Sequence, residues 1–428
     1  MSLNEALSRT LLLMRTDLDA SVPNRALVDA LTSVRVVLHA GADAMATHSG
    51  QTALVTAALT MARSGQEVWI DGADVDTIGA QPPLEPGSLI DAIVAVGQDL
   101  LPGCSIARGA PPNTDLAVTI GTVATSIGST RRIAIDAGDW WGRIAPQSAG
   151  WSGSDWPLGG ICAGVLVASE AFRIAMRRLA NHARARDYFD ELYAETADAT
   201  FALAPENTPK TISLPHFDLV SGGAIANAAL FALARLPGVV GSGRVLDDDV
   251  SALSNLNRNA LLVRSALEIA KVTDLARRAK GIAIDPEPVR YVMGMPVAPI
   301  VLVGVDDIPS RWAVQAAAPY WLGVGATEGF AVLVSSHTPG QACVGCLHPA
   351  AASPTGPIPT AAFVSLLSGL LLVARWLRSL GLEGPALADQ QAFINALRPE
   401  GWSYGAMPVA PNSSCPVGCA ASTTRTAA

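Results

Sequence analysis

The chain has 428 residues, of which 50% are hydrophobic and 15% charged, and its formal net charge is −8. That length holds roughly two to three globular domains, and neither disorder nor a fibrous repeat fits the composition. With no basic excess to neutralise phosphates, nucleic-acid binding is excluded as the main function.

The first half alternates strand and helix signals. Val34–His39 and Glu67–Ile70 read as strands, Thr52–Arg63 and Ser88–Leu101 as helices, and Leu116–Ile120 and Arg132–Ile135 as strands. Leu158–Glu195 reads as one or two helices, and the Pro-rich stretch Ala202–Pro209 marks a domain boundary. The rhythm then resumes. Asp218–Val220, Arg244–Leu246, Ile282–Ile284, Ile300–Val305 and Gly329–Ser335 are predicted strands. Ala224–Arg235, Arg258–Ala279, Ser310–Ala318 and Ala361–Leu377 are predicted helices. This β-α-β alternation predicts an α/β fold with mostly parallel sheets. The two halves also share a pattern of Ala-rich helix, glycine loop, strand and acidic end, starting at Thr52 and at Ala224, which suggests an internal duplication.

Met1–Met14 lacks the basic start and apolar core of a secretory signal. Glu170 interrupts the run Ile161–Phe172, and Pro299–Val305 and Leu370–Ala374 are too short to cross a membrane. The expectation is a soluble, cytoplasmic protein with no membrane contact.

Chemistry-bearing residues concentrate in the second half. A strand is followed by Ser221-Gly222-Gly223-Ala224-Ile225-Ala226-Asn227 and then a helix. Backbone N–H groups at such a helix start attract phosphate, although Ser221 and Ala226 stand where glycines are expected. The next strand ends in Asp247-Asp248-Asp249, placed to hold ribose hydroxyls. Ser254-Asn255-Leu256-Asn257-Arg258 follows, and then Lys271, one of only three lysines. A later strand ends in Asp306-Asp307, with Arg311 beyond. Two close cysteine pairs, Cys343/Cys346 and Cys415/Cys419, supply four thiols, the ligand number of tetrahedral Zn²⁺.

The segment DDDVSALSNLNRN with its downstream lysine resembles the E1-like adenylation domain shared by ubiquitin-activating enzymes and the adenylyltransferases of molybdopterin and thiamine biosynthesis. The resemblance covers roughly Ser213–Cys419. It implies two tandem Rossmann-like domains forming a pseudo-dimer, an inactive one over 1–205 and an active one with a zinc-bound C-terminal segment over 206–428. It implies ATP and Mg²⁺, with Gly223, Asp247, Asp249, Asn255, Arg258, Lys271 and Asp306 around the nucleotide, and Arg258, Lys271 and Asp306 as the catalytic set. The family usually carries Asn where Asp307 stands, and Cys-x-x-Cys where Cys415/Cys419 has one residue more. An N-terminal arginine, Arg9 or Arg15, is a candidate to reach the partner domain's ATP.

The first half lacks the set: it has no Asn-x-x-Arg over residues 72–180, beyond Asp71, and no lysine before Lys210. The implied activity is adenylation of the C-terminal carboxylate of a ubiquitin-like protein, with an E2-like acceptor downstream and a homodimer as one assembly. Alternatives are a sulfur-carrier protein or small peptide as substrate. A nicotinamide-dependent oxidoreductase is the competitor of another class, and it leaves Asn255, Arg258, Lys271 and the cysteines unexplained. The loop His348–Thr360 holds no cysteine to form a thioester, only the hydroxyls Ser353, Thr355 and Thr360. Cys104 and Cys162 read as buried packing residues.

Overall fold

A computed structural model describes residues 2–123, 129–353, 355–381, 386–399 and 405–419. The first sheet contains β1 (Arg35–Ala40), β2 (Glu67–Gly72), β3 (Ile106–Arg108), β4 (Thr114–Ile120), β5 (Ser129–Ala137), β6 (Trp141–Ala145) and β7 (Ala199–Ala202). Their order is β3-β2-β1-β4-β5-β6-β7. The second contains β8 (Phe217–Val220), β9 (Ser242–Leu246), β10 (Ala283–Glu287), β11 (Ile300–Val303), β12 (Trp321–Glu328), β13 (Ala331–His337), β14 (Gln391–Asn395) and β15 (Gly405–Met407). Its order, β10-β9-β8-β11-β12-β13-β14-β15, repeats the first. In each sheet five strands run parallel and the later ones antiparallel. These are tandem Rossmann-like sheets, mixed rather than parallel throughout, and the shared strand order carries the internal duplication. The chain passes from one sheet to the other between Ala202 and Phe217.

Central strands are buried at every position because helices cover both faces: Ile300–Val303 is apolar throughout, and Phe217–Val220 is apolar except for Asp218, which pairs with Arg244 at 2.6 Å. Two helices, Leu158–Arg177 and Ala362–Leu380, are long and apolar enough to cross a membrane, which corrects the reading of their sequence. Both are packed inside the protein. Leu158–Arg177 lies against helix His48–Arg63 and against Ala362–Leu380, which in turn packs on Ala224–Leu233. Small residues permit the close approach: a Cβ on Gly369 would meet the Ala228 Cβ at 2.4 Å, and one on Gly164 would meet the Thr56 Cβ at 2.7 Å. Phe172 and Phe363, one from each half, have ring centroids 5.4 Å apart, so the halves share a core. Glu170 is fully buried within this packing, held by Arg131 at 2.9 Å and Arg173 at 2.7 Å, which is how an acid sits in an apolar run.

The predicted helix Arg258–Ala279 is not formed over most of its length. Only Lys271–Arg278 is α-helical. The preceding stretch is a series of turns in which Arg264 N–H donates to Asp99 O (2.6 Å), Glu268 N–H donates to Ser251 O (2.8 Å), and Glu268 takes a φ of 66°. These tertiary bonds override the local helical pattern and leave Lys271 as the first residue of the helix.

Candidate nucleotide site and cysteine cluster

Strand order in the second sheet reverses between β8 and β11, and in doubly wound sheets ligands bind outside the carboxyl ends at that switch point. A cavity of about 440 Å³ lies there, lined by residues from every motif of the second half: Gly223, Asp247, Asp249, Asn255, Arg258, Lys271 and Asp306.

The loop after β8 is fixed from several sides. Ser221 N–H continues the ladder to Leu246 O (2.9 Å), and the Asn227 amide donates to both Gly222 O and Gly223 O at 3.0 Å. Asp247, just past β9, accepts from Gly222 N–H (2.7 Å) and from Asp249 N–H (2.9 Å). Gly222 is needed for this approach, since a Cβ would stand 3.0 Å from the Lys271 Cβ and 3.3 Å from the Asp247 Cβ. Lys271 Nζ pairs with Asp249 at 2.5 Å and with Asp247 at 3.5 Å. The acidic turn and the lysine thus form one charged wall.

Asn255 ends a one-turn 3-10 helix, and its Oδ1 accepts from Ala252 N–H (2.9 Å). Arg258 donates to Ser254 O and to Asn257 Oδ1. Burial pushes the Arg258 guanidinium down to about 10, helped by Arg9 and opposed by Asp306. Asp306 is raised from the ordinary carboxylate range by burial, against the pull of Arg258, Arg311 and Arg9. Arg311 donates to Val305 O through Nε (3.2 Å) and Nη2 (3.0 Å), which fixes the backbone next to Asp306. The departure at Asp307 has a local cause: it caps helix Ile308–Ala316, accepting Ser310 N–H and Oγ–H at 2.8 Å each. Asp306 forms no hydrogen bond among the described residues. A buried carboxylate lining a cavity with its oxygens unspent is a donor suited to Mg²⁺, which takes one or two carboxylates and otherwise phosphate and water oxygens.

The first half reaches into this cavity. Arg9, from helix Ser8–Met14, lines it, and its carbonyl accepts from Thr360 N–H at 3.3 Å. Arg15 points elsewhere, donating to Asn24 Oδ1 at 2.6 Å. Asn257 Nδ2 donates to Thr10 Oγ1 (3.0 Å). Arg63, buried in helix His48–Arg63, donates to Leu256 O and Ala260 O at 2.8 Å each and so brackets Arg258. Sequence reasoning missed Arg63 and Thr10, and also Thr327, Ile358 and Ser365 on the cavity wall. An arginine inside an apolar helix was the one available signal.

The equivalent cleft of the first half is smaller and mostly apolar, a cavity of about 250 Å³ lined by Ala40, Met45, Gln51, Ala73, Val75 and Asp76. Beside it, Asp43 lies three residues past β1, as Gly223 lies three residues past β8. Asp43 accepts from Thr122 N–H (2.8 Å), Thr122 Oγ1–H (3.0 Å) and Trp151 N–H (3.2 Å). Burial opposes its charge, but these bonds bring its pKa below the ordinary value.

The four cysteines of the two pairs converge, with all Sγ atoms within 4.8 Å of one another. Cys343 and Cys415 lie 3.3 Å apart, and Cys346 and Cys419 lie 3.4 Å apart. Tetrahedral Zn²⁺ with bonds of ~2.3 Å needs sulfurs ~3.8 Å apart, so this donor set fits zinc. The longer second pair turns at Gly418, with φ 66°, and Asn412 N–H donates to Cys346 Sγ (3.4 Å). Gly345 must lack a side chain because a Cβ would meet Cys415 Sγ at 3.0 Å. The other thiols are remote from both sites. Burial pushes Cys104 and Cys162 each up to about 12.

The second sheet thus gathers an acidic turn, Asn-x-x-Arg, a lysine and a strand-end aspartate at its switch point, beside a first sheet of the same strand order. Residues 35–192 match the model of the BilD N-terminal domain family. The uncharacterized protein y4jF of Sinorhizobium fredii (strain NBRC 101917 / NGR234) is 28% identical over 225 residues, which cover 50% of this chain and 43% of that one. The chain therefore spans less than half the length of this curated relative. A crystal structure of E. coli MccB aligns with a TM-score of 0.38 and 13% identity, over 58% of this chain and 79% of that one. The fold assignment rests on strand order and register.

Proposed function

We propose that the protein is an E1-like adenylyltransferase that activates the C-terminal carboxylate of a ubiquitin-like protein with ATP. The observation that carries this reading is the gathering of Asp247, Asn255, Arg258, Lys271 and Asp306 around one cavity at the switch point.

In this reading a carboxylate oxygen of the substrate attacks the α-phosphorus. The new P–O bond forms as the bond to the bridging oxygen breaks, and pyrophosphate leaves with the electron pair. Asp247 holds the ribose hydroxyls. Arg258, Lys271 and Arg9 are fixed cations facing the phosphate oxygens where charge accumulates. Asp306 would hold Mg²⁺, which when bound screens the phosphates. Arg311 keeps Asp306 in place, and the low polarity that raises the Asp306 carboxyl also strengthens each charged contact. The Cys343/Cys346/Cys415/Cys419 cluster holds Zn²⁺ as a closed, structural site, and the active unit is the whole fused chain. The substrate protein and any E2-like acceptor are partners in the cytoplasm.

The test is ATP–pyrophosphate exchange. Exchange that depends on a ubiquitin-like protein with a free C-terminus supports the proposal. Exchange with a short peptide alone moves the substrate class, and exchange with no carboxylate or hydride transfer from a nicotinamide cofactor rejects it. Thr360, the buried hydroxyl on the cavity wall, pairs with Ser365 Oγ at 3.1 Å and has no basic side chain bonded to it among the described residues. A covalent adduct with the substrate is therefore not expected on a loop thiol or an activated hydroxyl. A reductant-sensitive adduct on a denaturing gel, lost on Cys104→Ala or Cys162→Ala, would contradict this.

A further inference from the structure

Ser221 is a departure from the glycine loop that the fold does not absorb passively. Its φ is 100°, in the left-handed region that favours glycine. The backbone has no freedom to relax this, because Ser221 N–H is bonded to Leu246 O and the Asn227 amide holds the carbonyls of the next two residues. What the side chain does there is specific. Ser221 Oγ accepts the hydrogen bond of Gly223 N–H at 3.0 Å, at the start of helix Ala224–Leu233. The neighbouring Gly222 N–H is already given to Asp247 Oδ2 at 2.7 Å. Of the three loop N–H groups, Gly223's, at the entry to the helix's own free N–H groups, is thus the one not given to backbone or carboxylate, and a hydroxyl oxygen sits on it.

We propose that Ser221 Oγ is an internal stand-in for a phosphate oxygen: it occupies the Gly223 N–H until a nucleotide phosphate displaces it, and so sets the affinity of the cavity for phosphorylated ligands. The inference rests on the nucleotide reading of this cavity. Only rotation about the Ser221 Cα–Cβ bond is required, since the loop backbone is held from both sides. The displaced hydroxyl turns into the cavity that Ser221 already lines. Ser221 is a positioning and affinity-setting residue, and it takes no part in bond making.

Calorimetric titration of the full chain with ATP, ADP and adenosine in the presence of Mg²⁺ tests this. Ser221→Ala removes the competing oxygen and keeps the backbone requirement. It is expected to bind ATP and ADP about three- to tenfold more tightly, the worth of one net hydrogen bond, with adenosine unchanged. Ser221→Gly is expected to tighten phosphate binding in the same direction and to raise the melting temperature, because glycine is at ease at this φ. It keeps the test open if the alanine variant folds poorly. Weaker ATP binding by Ser221→Ala would make the hydroxyl a ligand contact and overturn the proposal, as would unchanged binding. An equal shift for adenosine would mean a general change of cavity shape and would also overturn it. A wild-type chain that binds neither ATP nor ADP would instead remove the nucleotide reading itself, and this inference with it.

Discussion

Arg63→Met isolates what the first half contributes. The Arg63 guanidinium is 2% exposed, has no carboxylate partner among the described residues, and donates to the carbonyls of Leu256 and Ala260. Burial pushes it down to about 9 from 12.5. That difference, led by burial with repulsion from Arg278 and partly offset by Cys104 and Asp274, puts the net cost of the charge on the order of 5 kcal/mol. Two hydrogen bonds from a charged donor return roughly 3–6 kcal/mol. The two terms nearly cancel, so replacing the guanidinium with an apolar chain of similar length is expected to change fold stability by no more than about 2 kcal/mol in either direction. The catalytic consequence is larger. Leu256 and Ala260 flank Arg258, and a displacement of about 1 Å at a charged site group can cost ~10² in rate. Urea denaturation of Arg63→Met should therefore be near wild type, while pyrophosphate exchange falls about 10²-fold. Arg63→Lys should recover little of the rate, because an ammonium lacks the planar fork that serves two carbonyls at once. Exchange within twofold of wild type in Arg63→Met would refute the reasoning. So would a loss of exchange that tracks the unfolded fraction.

Asp306→Asn is expected to lower exchange by ~10²–10³. Because the folded-state pKa of Asp306 is raised, the folded protein holds that proton more tightly than the unfolded chain, and ionisation costs stability as pH rises through the folded value. The asparagine variant should thus melt higher than wild type at pH 7, with the gain disappearing as pH falls through the carboxylate range; a lower melting temperature at pH 7 would show the carboxylate is a net stabiliser. Arg9→Ala should weaken ATP-dependent exchange by ~10- to 100-fold, the loss of one charge-assisted contact, while Arg15→Ala leaves it unchanged. Equal effects of the two would place the nucleotide contact elsewhere. Metal analysis should find one zinc per chain, reduced in Cys343→Ser, and chelation should lower the melting temperature; full zinc in that variant would dissociate the cluster from the metal.

Much of this was legible in the sequence because the signals were local. Apolar runs such as Ile300–Val303 and Val36–Leu38 gave the central strands, and the Asn255/Arg258/Lys271/Asp306 series pointed to residues that line one cavity. The failures lie where long-range contacts decide. The segment from Arg258 to Ala270 has a helical pattern, yet bonds to Asp99 and Ser251 hold it in turns. Antiparallel strands such as Ala199–Ala202, which pairs with Trp141–Ile144 some way back in the chain, have little signature of their own. Glu170 looked like an interruption of an apolar stretch because Arg131 and Arg173, its counter-charges, lie on a strand and one turn along the helix.

The duplicated topology poses a physical question that composition alone could not raise: why one copy keeps a polar, charged cavity and the other a smaller apolar one. Asp43 lies three residues past β1, as Gly223 does past β8, and Val123 lies three residues past β4, as Asp306 does past β11. The first half thus carries a carboxylate and an apolar side chain where the second carries a glycine and a carboxylate. Three donors to Asp43 satisfy its charge internally. Meanwhile Arg9, Thr10 and Arg63 of this half each hold or face part of the second half's cavity. Substitutions at Asp43 should accordingly change stability and leave nucleotide affinity alone, whereas those at Arg63 should do the reverse.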